Sequence, residues 1–541
     1  MKLQINCTIL LLLTSCLSAC YEGSSETEKK AVFTYNESNG ITSLDPAFAR
    51  NLENMWAVNQ VFDGLVALDE NLEIQPSIAE SWEVSDDRLT YTFSLRPNVF
   101  FHSSDLFPEG NRAVTAADVL YSFNRILDEK TASPGKWIFD PLRSERPIEV
   151  VNSSTLRLHL NKPFPPFLGM LCTQYANIVP EEIVEHFGND FRSNPIGTGP
   201  FKFAFWMEDV ALVFHKNEQF WEYDEEGVQL PYLDAVKVEF VRDMSAEYLG
   251  LLQGKYDFMS GLHSSFKDEL LLPTGELREA FNDKLNFQRV PFIKTDYIGI
   301  LVDDSAAILE GHPLKNRLVR QALNYSVDRE AMVRYLRNNS VYEAGHGFVP
   351  KGLPAYNEKA KYGVRFDLVK AKELLKEAGY PDGKGLPSIP LSTTSDYVDL
   401  CEFLQFQWAQ IGIQVEIDVL ASSSHREKVA KSQALLFRKS WLADYPDAEN
   451  FLMLFYSQNF CPGGPNYTHY SNQTFDSLYD AANLASPKER LSLYQSMDSL
   501  IMQDAPVIPL FYDQVSHFVR KEVIDFETNG VNMLELKRTK K

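Results

Sequence analysis

The sequence predicts an α/β protein of two or three domains. Its 541 residues are too many for a single hydrophobic core, and 44% hydrophobic with 23% charged residues is ordinary for a soluble globular protein. Between residues 236 and 258 an apolar strand, a helix ended by Gly254 and the start of a second strand follow one another. This order is typical of an α/β core.

The N-terminal third of the mature chain predicts alternating element types. Apolar runs and apolar–polar alternation predict strands at 31–35, 89–96 and 155–160, and helices at 51–61 and 115–127. The second helix begins with Thr115 and has Asp118 three residues later, which is a capping-box pattern.

The C-terminal half is also mixed. Its periodicity predicts strands at 297–302 and 415–419, and helices at 314–323, 329–336, 367–378, 403–410 and 486–503. Asp367 is suited to cap the start of its helix, and Gly379 with Pro381 ends it.

The first twenty residues predict export. Lys2 precedes a short apolar stretch at 9–13, which is too short to span a bilayer. Leu17-Ser18-Ala19-Cys20 resembles a bacterial lipobox, whose Cys20 becomes the lipidated first residue of the mature protein; an ordinary secretory signal cut nearby is the alternative. We expect 1–19 to be a signal peptide and 20–30 a lipidated tether. The protein is then periplasmic or on the cell surface, anchored to a membrane.

Charge and cysteine content exclude several classes of partner. The formal net charge is −22, and it becomes −23 without residues 1–19, whose only charged residue is Lys2. Such a chain repels nucleic acid. Beyond the signal and anchor, Cys172, Cys401 and Cys461 remain, too few and too widely spaced for a disulfide framework or a metal signature, so we expect buried free thiols.

Local motifs for catalysis are absent from the sequence. It has no His-Glu-x-x-His, Gly-x-Ser-x-Gly, Walker or Gly-x-Gly-x-x-Gly pattern. A paired-carboxylate glycosidase stays open, because carboxylate separation cannot be read from sequence. The pattern favours a binding protein with no catalytic residue, metal or cofactor.

The stretch 438–447 is the strongest candidate for a binding site. An apolar run at 434–437 predicts a buried strand that leads to Arg438, Trp441 and Asp444, and Tyr445-Pro446-Asp447 ends the strand. A carboxylate at a strand end, beside an aromatic ring and an arginine, can hold a small zwitterion. The alternative is an ordinary strand and turn with surface charges.

A series of short motifs extends over almost the whole mature length. They are Ser43-Leu44-Asp45-Pro46, Phe62-Asp63-Gly64-Leu65, 76–82, 91–102, 115–119, 197–201, Arg320-Gln321-Ala322-Leu323 with Asp328-Arg329, Ala378-Gly379-Tyr380-Pro381, Trp441 with 444–447, and Ala505-Pro506. In this order and spacing the chain resembles family 5 of the extracellular solute-binding proteins, the peptide- and nickel-type binding components of ABC importers. The segment 103–112 departs from the family, since it is longer and lacks the usual Asp-Gly.

The resemblance implies the periplasmic-binding-protein-like II fold, with two lobes around a cleft that closes by hinge bending and one additional inserted domain. The implied division has three parts. Lobe I comprises 31–65, 188–293 and 504–541, the inserted domain II comprises 66–187, and lobe III comprises 294–503.

The resemblance also implies the ligand contacts of the oligopeptide-binding branch. Asp444 corresponds to the carboxylate that pairs with a peptide α-amino group, and Arg438 to an arginine near the ligand carboxylate. The strand residues Trp441, Leu442 and Ala443 correspond to the backbone that hydrogen-bonds an extended ligand. Arg50 and Leu52 fall in the segment that lines the opposite lobe.

The sequence therefore predicts a monomeric, membrane-anchored lipoprotein that delivers short peptides to an ABC permease. Relatives within the binding class leave an oligosaccharide, a nickel chelate or haem open as the solute. From another class, a secreted peptidase or glycosidase is the remaining alternative.

Overall fold

The computed structural model describes residues 30–303 and 305–541. The predicted signal peptide and the lipobox cysteine, Cys20, lie outside the described residues. Within the described ranges, no helix is both long enough and apolar enough to cross a bilayer.

The main sheet has eleven strands and confirms the α/β class. Its strands follow the order β15-β14-β16-β12-β17-β11-β1-β10-β9-β8, and β13 pairs with β17. A second sheet has the order β4-β5-β7-β6, and β2 pairs with β3. The strands are β1 Val32–Asn36, β2 Val66–Leu68, β3 Ile74–Pro76, β4 Ala79–Val84, β5 Thr90–Leu95, β6 Ile148–Asn152, β7 Thr155–His159, β8 Phe201–Met207, β9 Ala211–Lys216, β10 Ala235–Glu239, β11 Phe258–Ser260, β12 Leu285–Ile300, β13 Tyr342–Glu343, β14 Ile389–Thr393, β15 Val415–Val419, β16 Leu436–Leu442 and β17 Val507–Arg520.

Helices cover both parts of the main sheet. They span Leu52–Val61, Ala116–Leu127, Phe167–Met170, Glu181–Phe187, Met244–Gln253, Ser264–Leu270, Arg317–Tyr325, Arg329–Ala331, Leu368–Glu377, Val398–Ala409, Ser422–Ala430, Glu449–Leu452, Gln473–Leu484 and Pro487–Asp504. The predicted capping box is confirmed, because the Thr115 and Asp118 side chains each accept from the other's backbone N–H. The predicted helix at 329–336 is α-helical only to Ala331 and continues as a π-turn.

Two long antiparallel strands cross the whole molecule. Strand β12 has 16 residues, and β17, with 14, pairs with it from Leu285 opposite Arg520 to Gly299 opposite Val507. One end of the pair adjoins β11 and the other adjoins β16. The register shifts between Pro291 and Thr295, so the regular ladder is interrupted midway.

The strand pair divides the molecule into two parts. We call the strands β1–β11 with their helices the N-terminal part, and the strands β13–β16 with the helices from Arg317 to Asp504 the C-terminal part. The four-stranded sheet lies inside the segment 66–187, for which an inserted domain is expected. The boundaries of the three domains stay a prediction.

The hydrophobic cores follow this division at most of their residues. The largest cluster joins β1, the helix Leu52–Val61 and the four-stranded sheet, and two others fill the C-terminal part. Tyr445 belongs to the C-terminal part by sequence, yet it packs into the N-terminal cluster and is only 3% exposed. It therefore joins the two parts across their interface.

The turn at Gly197-Thr198-Gly199 brings β8 onto the end of the helix Leu52–Val61. The Gly199 N–H donates to the Val61 carbonyl at 2.8 Å. A Cβ atom on Gly199 would lie 2.6 Å from the Val61 carbonyl carbon and 2.8 Å from the Phe62 nitrogen, closer than van der Waals contact permits. Glycine is thus required by close backbone approach.

We expect Gly199→Ala to lower the free energy of unfolding by about 1–3 kcal/mol, because the added methyl group must displace backbone. Gly345→Ala is the matched control, since its Cβ would have its nearest neighbour at 3.6 Å. The measurement is calorimetric unfolding of both variants beside the parent protein. An unchanged melting temperature in Gly199→Ala would contradict the packing described for this turn.

Candidate functional site

A cavity of about 640 Å³ lies between the two parts of the molecule. Five of the residues predicted for ligand contact line it: Arg50, Leu52, Leu442, Ala443 and Asp444. The remaining walls come mainly from three places, namely Pro134 and Trp137, the segment 172–175, and Phe292 with Val531 and Met533. The structure therefore brings together residues that are distant in the sequence.

A second cavity of similar size lies elsewhere. It measures about 670 Å³, and the N-terminal part alone lines it, with Asp45, Arg125 and Lys130 among its residues. Asp45 and Arg125 already satisfy each other through an ion pair of 2.6 Å. Because a cleft between two parts can close around a guest, we take the cavity at Asp444 as the candidate site.

Asp444 is the second residue after strand β16, at the start of the turn that follows the strand. The Ala443 N–H still donates to the Ile293 carbonyl at 2.9 Å, so the chain stays attached to β12 up to this point. The Asp444 N–H donates to Asn450 Oδ1 at 3.1 Å, and Asn450 Nδ2 donates to Asp444 Oδ2 at 3.4 Å. Asn450 is completely buried, so it fixes the backbone and one carboxylate oxygen of Asp444.

The Asp444 carboxylate faces the cavity and lacks a cationic partner. The described residues give it no ion pair, and its pKa is raised by burial, an effect that the hydrogen bond from Asn450 only partly offsets. By accessible surface Asp444 is exposed in the open cleft, so only its neighbouring protein, and not full burial, desolvates the carboxylate. A desolvated carboxylate without a counter-charge is stabilised by a bound cation.

The opposite wall carries Arg50, Gln174 and Tyr175. Burial raises the pKa of the Tyr175 phenol, Arg50 opposes this shift, and Asp444 adds to it, so the phenol lies within electrostatic reach of both charges. Gln174 Nε2 donates to the Ala49 carbonyl at 2.6 Å, while its Oε1 is buried and lacks a partner among the described residues. Sequence reasoning missed Gln174 and Tyr175, because no local pattern marks them.

Trp441 supports the site from behind. Its indole Nε1 donates to Asn450 Oδ1 at 2.9 Å, and its ring packs with the core of the C-terminal part. It is not among the residues that line the cavity. Trp441, Asn450 and Asp444 therefore form one hydrogen-bonded unit, in which Asn450 is the member that sequence reasoning missed.

Arg438 lies deeper in the C-terminal part, away from the cavity lining. Its guanidinium forms an ion pair with the buried Asp296, and its central carbon lies 3.2 Å from the centre of the Tyr397 ring. Lys294 extends the network, since its Nζ lies 3.1 Å from Asp296 and 2.8 Å from Asp513. This geometry is that of a salt bridge within the C-terminal part, and a contact between Arg438 and a ligand carboxylate stays a prediction.

Two sets of contacts join the parts on the far side of the cavity. The centres of the Tyr445 and Trp137 rings lie 6.3 Å apart. Gly169 also lies close to Tyr445, since a Cβ atom added to Gly169 would be 3.6 Å from the Tyr445 Cβ. Arg88 Nη1 donates to the carbonyls of Leu484 and Ala485 at 3.1 and 2.9 Å, at the end of the helix Gln473–Leu484. The turn after β16 is thus enclosed by the N-terminal part.

Glu449 positions Tyr445 for this contact. Its carboxyl group is buried and accepts hydrogen bonds from the hydroxyl groups of Tyr445 and Tyr479. Burial raises the pKa of Glu449 to about 7, and the hydrogen bonds from the two tyrosines oppose the shift. The residues of the turn are therefore held by an acid that is close to titration at neutral pH.

The three cysteines are free, as expected, but the expectation that all three are buried is wrong for Cys172. Cys401 and Cys461 are buried, whereas Cys172 is partly exposed and lines the cavity. Among the described residues no group of three or more histidine, cysteine or acidic side chains is placed to hold a metal ion.

Comparison with known proteins identifies a family and several relatives. The model of the bacterial extracellular solute-binding proteins, family 5 middle, matches residues 73–460. Glutathione-binding protein GsiB of Salmonella typhi is 29% identical over 497 residues, which cover 90% of each chain. Heme-binding protein A of Haemophilus influenzae is 29% identical over 545 residues, which cover 94% of each chain.

The fold is also found among solved structures. The periplasmic binding protein DppA of Helicobacter pylori, associated with an ABC transporter and solved in complex with the peptide STSA, superposes with a TM-score of 0.73. It is 27% identical, and the match covers 96% of this chain and 99% of that chain. The two-lobe α/β architecture expected from the sequence is thereby confirmed.

The pH dependence of stability tests the role given to Glu449. Its pKa is about 7 in the folded protein against an ordinary value of 4.5, so its stabilising contribution is complete below about pH 4.5 and is lost as pH rises through about 7. Glu449→Gln cannot titrate, so its melting temperature should fall less than that of the parent between about pH 5 and 8. The exposed Glu373→Gln should follow the parent curve. Parallel curves for Glu449→Gln and the parent would exclude the raised pKa.

Proposed function

The chain belongs to family 5 of the bacterial extracellular solute-binding proteins, and we propose that it captures short peptides in the cavity at Asp444. Proteins of this family are the substrate-binding components of ABC importers and are not enzymes. A secreted hydrolase is therefore set aside. The solute and its mode of binding are the substance of the proposal.

The single observation that carries the proposal is the unpaired Asp444 carboxylate in a cavity shared by both parts. A peptide α-ammonium supplies the missing charge. Glutathione carries the same group, whereas haem and a neutral oligosaccharide have no ammonium to offer. A charge-assisted hydrogen bond in a desolvated site contributes about 1.5–3 kcal/mol, which is about tenfold to a hundredfold in affinity.

The edge of β16 supports an extended ligand. Strand β14 pairs with β16 only at Leu436 and Phe437, whereas β12 accompanies β16 to Leu442. From Arg438 to Leu442 the other edge has no strand partner in the described part of the chain. A peptide that adds as a strand beside Trp441, Leu442 and Ala443 would use backbone groups, which gives affinity without preference for side chains.

The lipid anchor belongs to the same proposal. A lipidated Cys20 with the polar tether 20–30 would keep the binding protein beside the membrane that holds its ABC permease. Mass spectrometry of the mature N-terminus from cells would identify a diacylated or triacylated cysteine.

We expect Asp444→Ala to weaken binding of a short peptide by about tenfold or more, because the ligand's ammonium then lacks a counter-charge. The measurement is titration calorimetry with a peptide and with the same peptide N-acetylated. The acetylated peptide should bind the parent weakly and should lose little further affinity in the variant. Glu373→Ala, which removes an exposed carboxylate on the helix Leu368–Glu377, is the matched control.

Equal affinity of the parent for both peptides, or no change in Asp444→Ala, would exclude the assigned contact. A panel of glutathione, haem, a nickel–histidine chelate and an oligosaccharide identifies the solute in that case. Saturable binding of haem or of an oligosaccharide with no peptide binding would replace the peptide proposal and leave the family membership intact.

A further inference from the structure

Four reactive side chains meet on the C-terminal part, away from the ligand cavity. The Asp303 Oδ2 atom lies 2.8 Å from His469 Nδ1. The other ring nitrogen, Nε2, lies 2.9 Å from Ser432 Oγ and 3.2 Å from Cys461 Sγ. An acid, an imidazole and a nucleophile in this order form the arrangement that activates hydroxyl and thiol groups.

The acid orients the imidazole. Burial alone would raise the pKa of Asp303, but hydrogen bonds from Ser305 and His469 outweigh it and lower the pKa, so the carboxylate is ionised at neutral pH. An ionised carboxylate assigns the ring proton to Nδ1 and leaves the Nε2 lone pair directed at Cys461 and Ser432. The Cys461 carbonyl, 3.1 Å from Nε2, is placed to accept that N–H once the ring has taken a proton.

The backbone is strained at two of these residues. Ser432 has φ of 54° and His469 has φ of 53°, which is the left-handed region that side chains rarely adopt. Such a conformation is unfavourable for a residue with a side chain and persists where its surroundings hold it, often at functional sites. The Phe460 ring stacks on the imidazole with centroids 4.6 Å apart and planes within 2°. The imidazole is therefore fixed in position.

The other two thiols lack such neighbours. Cys172 is the most exposed of the three, but burial raises its pKa, and its Sγ donates to the Leu168 carbonyl at 3.3 Å. Burial also raises the pKa of Cys401. Cys461 alone among the described cysteines contacts an imidazole. Solvent exposure therefore predicts that Cys172 reacts first, whereas the neighbouring imidazole predicts that Cys461 does. The two explanations can be distinguished by comparing the cysteines of one protein.

We propose that Cys461 is a modification site for hydroperoxides, activated by the His469–Asp303 pair. The thiol proton moves to His469 Nε2, and the thiolate attacks one peroxide oxygen. The S–O bond forms as the O–O bond breaks, and the departing hydroxide or alkoxide takes the proton from His469 and leaves as water or as an alcohol. Sulfur is oxidised by two electrons to a sulfenic acid, and the peroxide is reduced by two.

The polar neighbours of the buried thiol are themselves partly open to solvent. Cys461 itself is 4% exposed, but Ser432 is partly exposed, and the side chains of His469 and Asp303 are 12% and 22% exposed. The charged and titratable groups that face Cys461 from other elements include Lys439, whose Nζ lies 4.0 Å from the centre of the Tyr467 ring. Burial lowers the pKa of Lys439 to about 8. In its charged form the Lys439 amine favours the thiolate form of Cys461.

The test compares the three thiols within one molecule. The folded protein is treated with hydrogen peroxide and dimedone, and labelling of each cysteine is followed by mass spectrometry. We expect Cys461 to be labelled about tenfold faster than Cys172 or Cys401, because only its thiol has an imidazole nitrogen within reach to accept the proton. His469→Gln should remove this advantage while the labelling of Cys172 stays unchanged.

A second variant provides an independent check. Asp303→Asn, which retains side-chain size, should slow the labelling of Cys461 because the imidazole loses the carboxylate that orients it, and it replaces His469→Gln if that variant does not fold. Fastest labelling at Cys172, or an unchanged Cys461 rate in these variants, would overturn the proposal. Ligand binding is not required for either result.

Discussion

The antiparallel pairing of β12 with β17 is the constraint on which the rest of the molecule depends. These two strands are the continuous link between the parts, and their register is interrupted between Pro291 and Thr295. Strand β16 pairs with β12 beyond this interruption, so the turn that carries Asp444 projects toward the N-terminal part. If the cleft closes by hinge bending, as the family resemblance implies, we propose this break in the ladder as the place where the parts bend.

Arg438 and Asp444 differ in how their charges are satisfied. Arg438 is buried with Asp296 and Tyr397, so removing Asp296 would leave the guanidinium charge uncompensated. Asp444 receives only the amide hydrogen bond from Asn450, and its pKa is raised by burial. The charge of Arg438 is thus compensated within the protein, whereas the charge of Asp444 is available to a ligand. That difference is the physical basis for assigning capture to Asp444.

The sequence predicts local structure well because local interactions determine it. The helix Leu52–Val61, the capping box at Thr115 and strand β15 all follow from spacing within a few residues. Strand β17 was not predicted, because Pro509 interrupts its apolar pattern and the strand β12 with which it pairs lies far away in the chain. The same holds for Gln174 and Tyr175 at the site. Whether Arg438 meets Asp296 or a ligand likewise depends on distances that a sequence does not contain.

A crystal structure of the protein with a bound short peptide would show directly which group holds the ligand's ammonium. We expect the α-ammonium nitrogen to lie within hydrogen-bonding distance, about 2.7–3.2 Å, of an Asp444 carboxylate oxygen. The peptide backbone should run beside β16. A peptide held elsewhere in the molecule, with Asp444 facing solvent, would contradict this assignment.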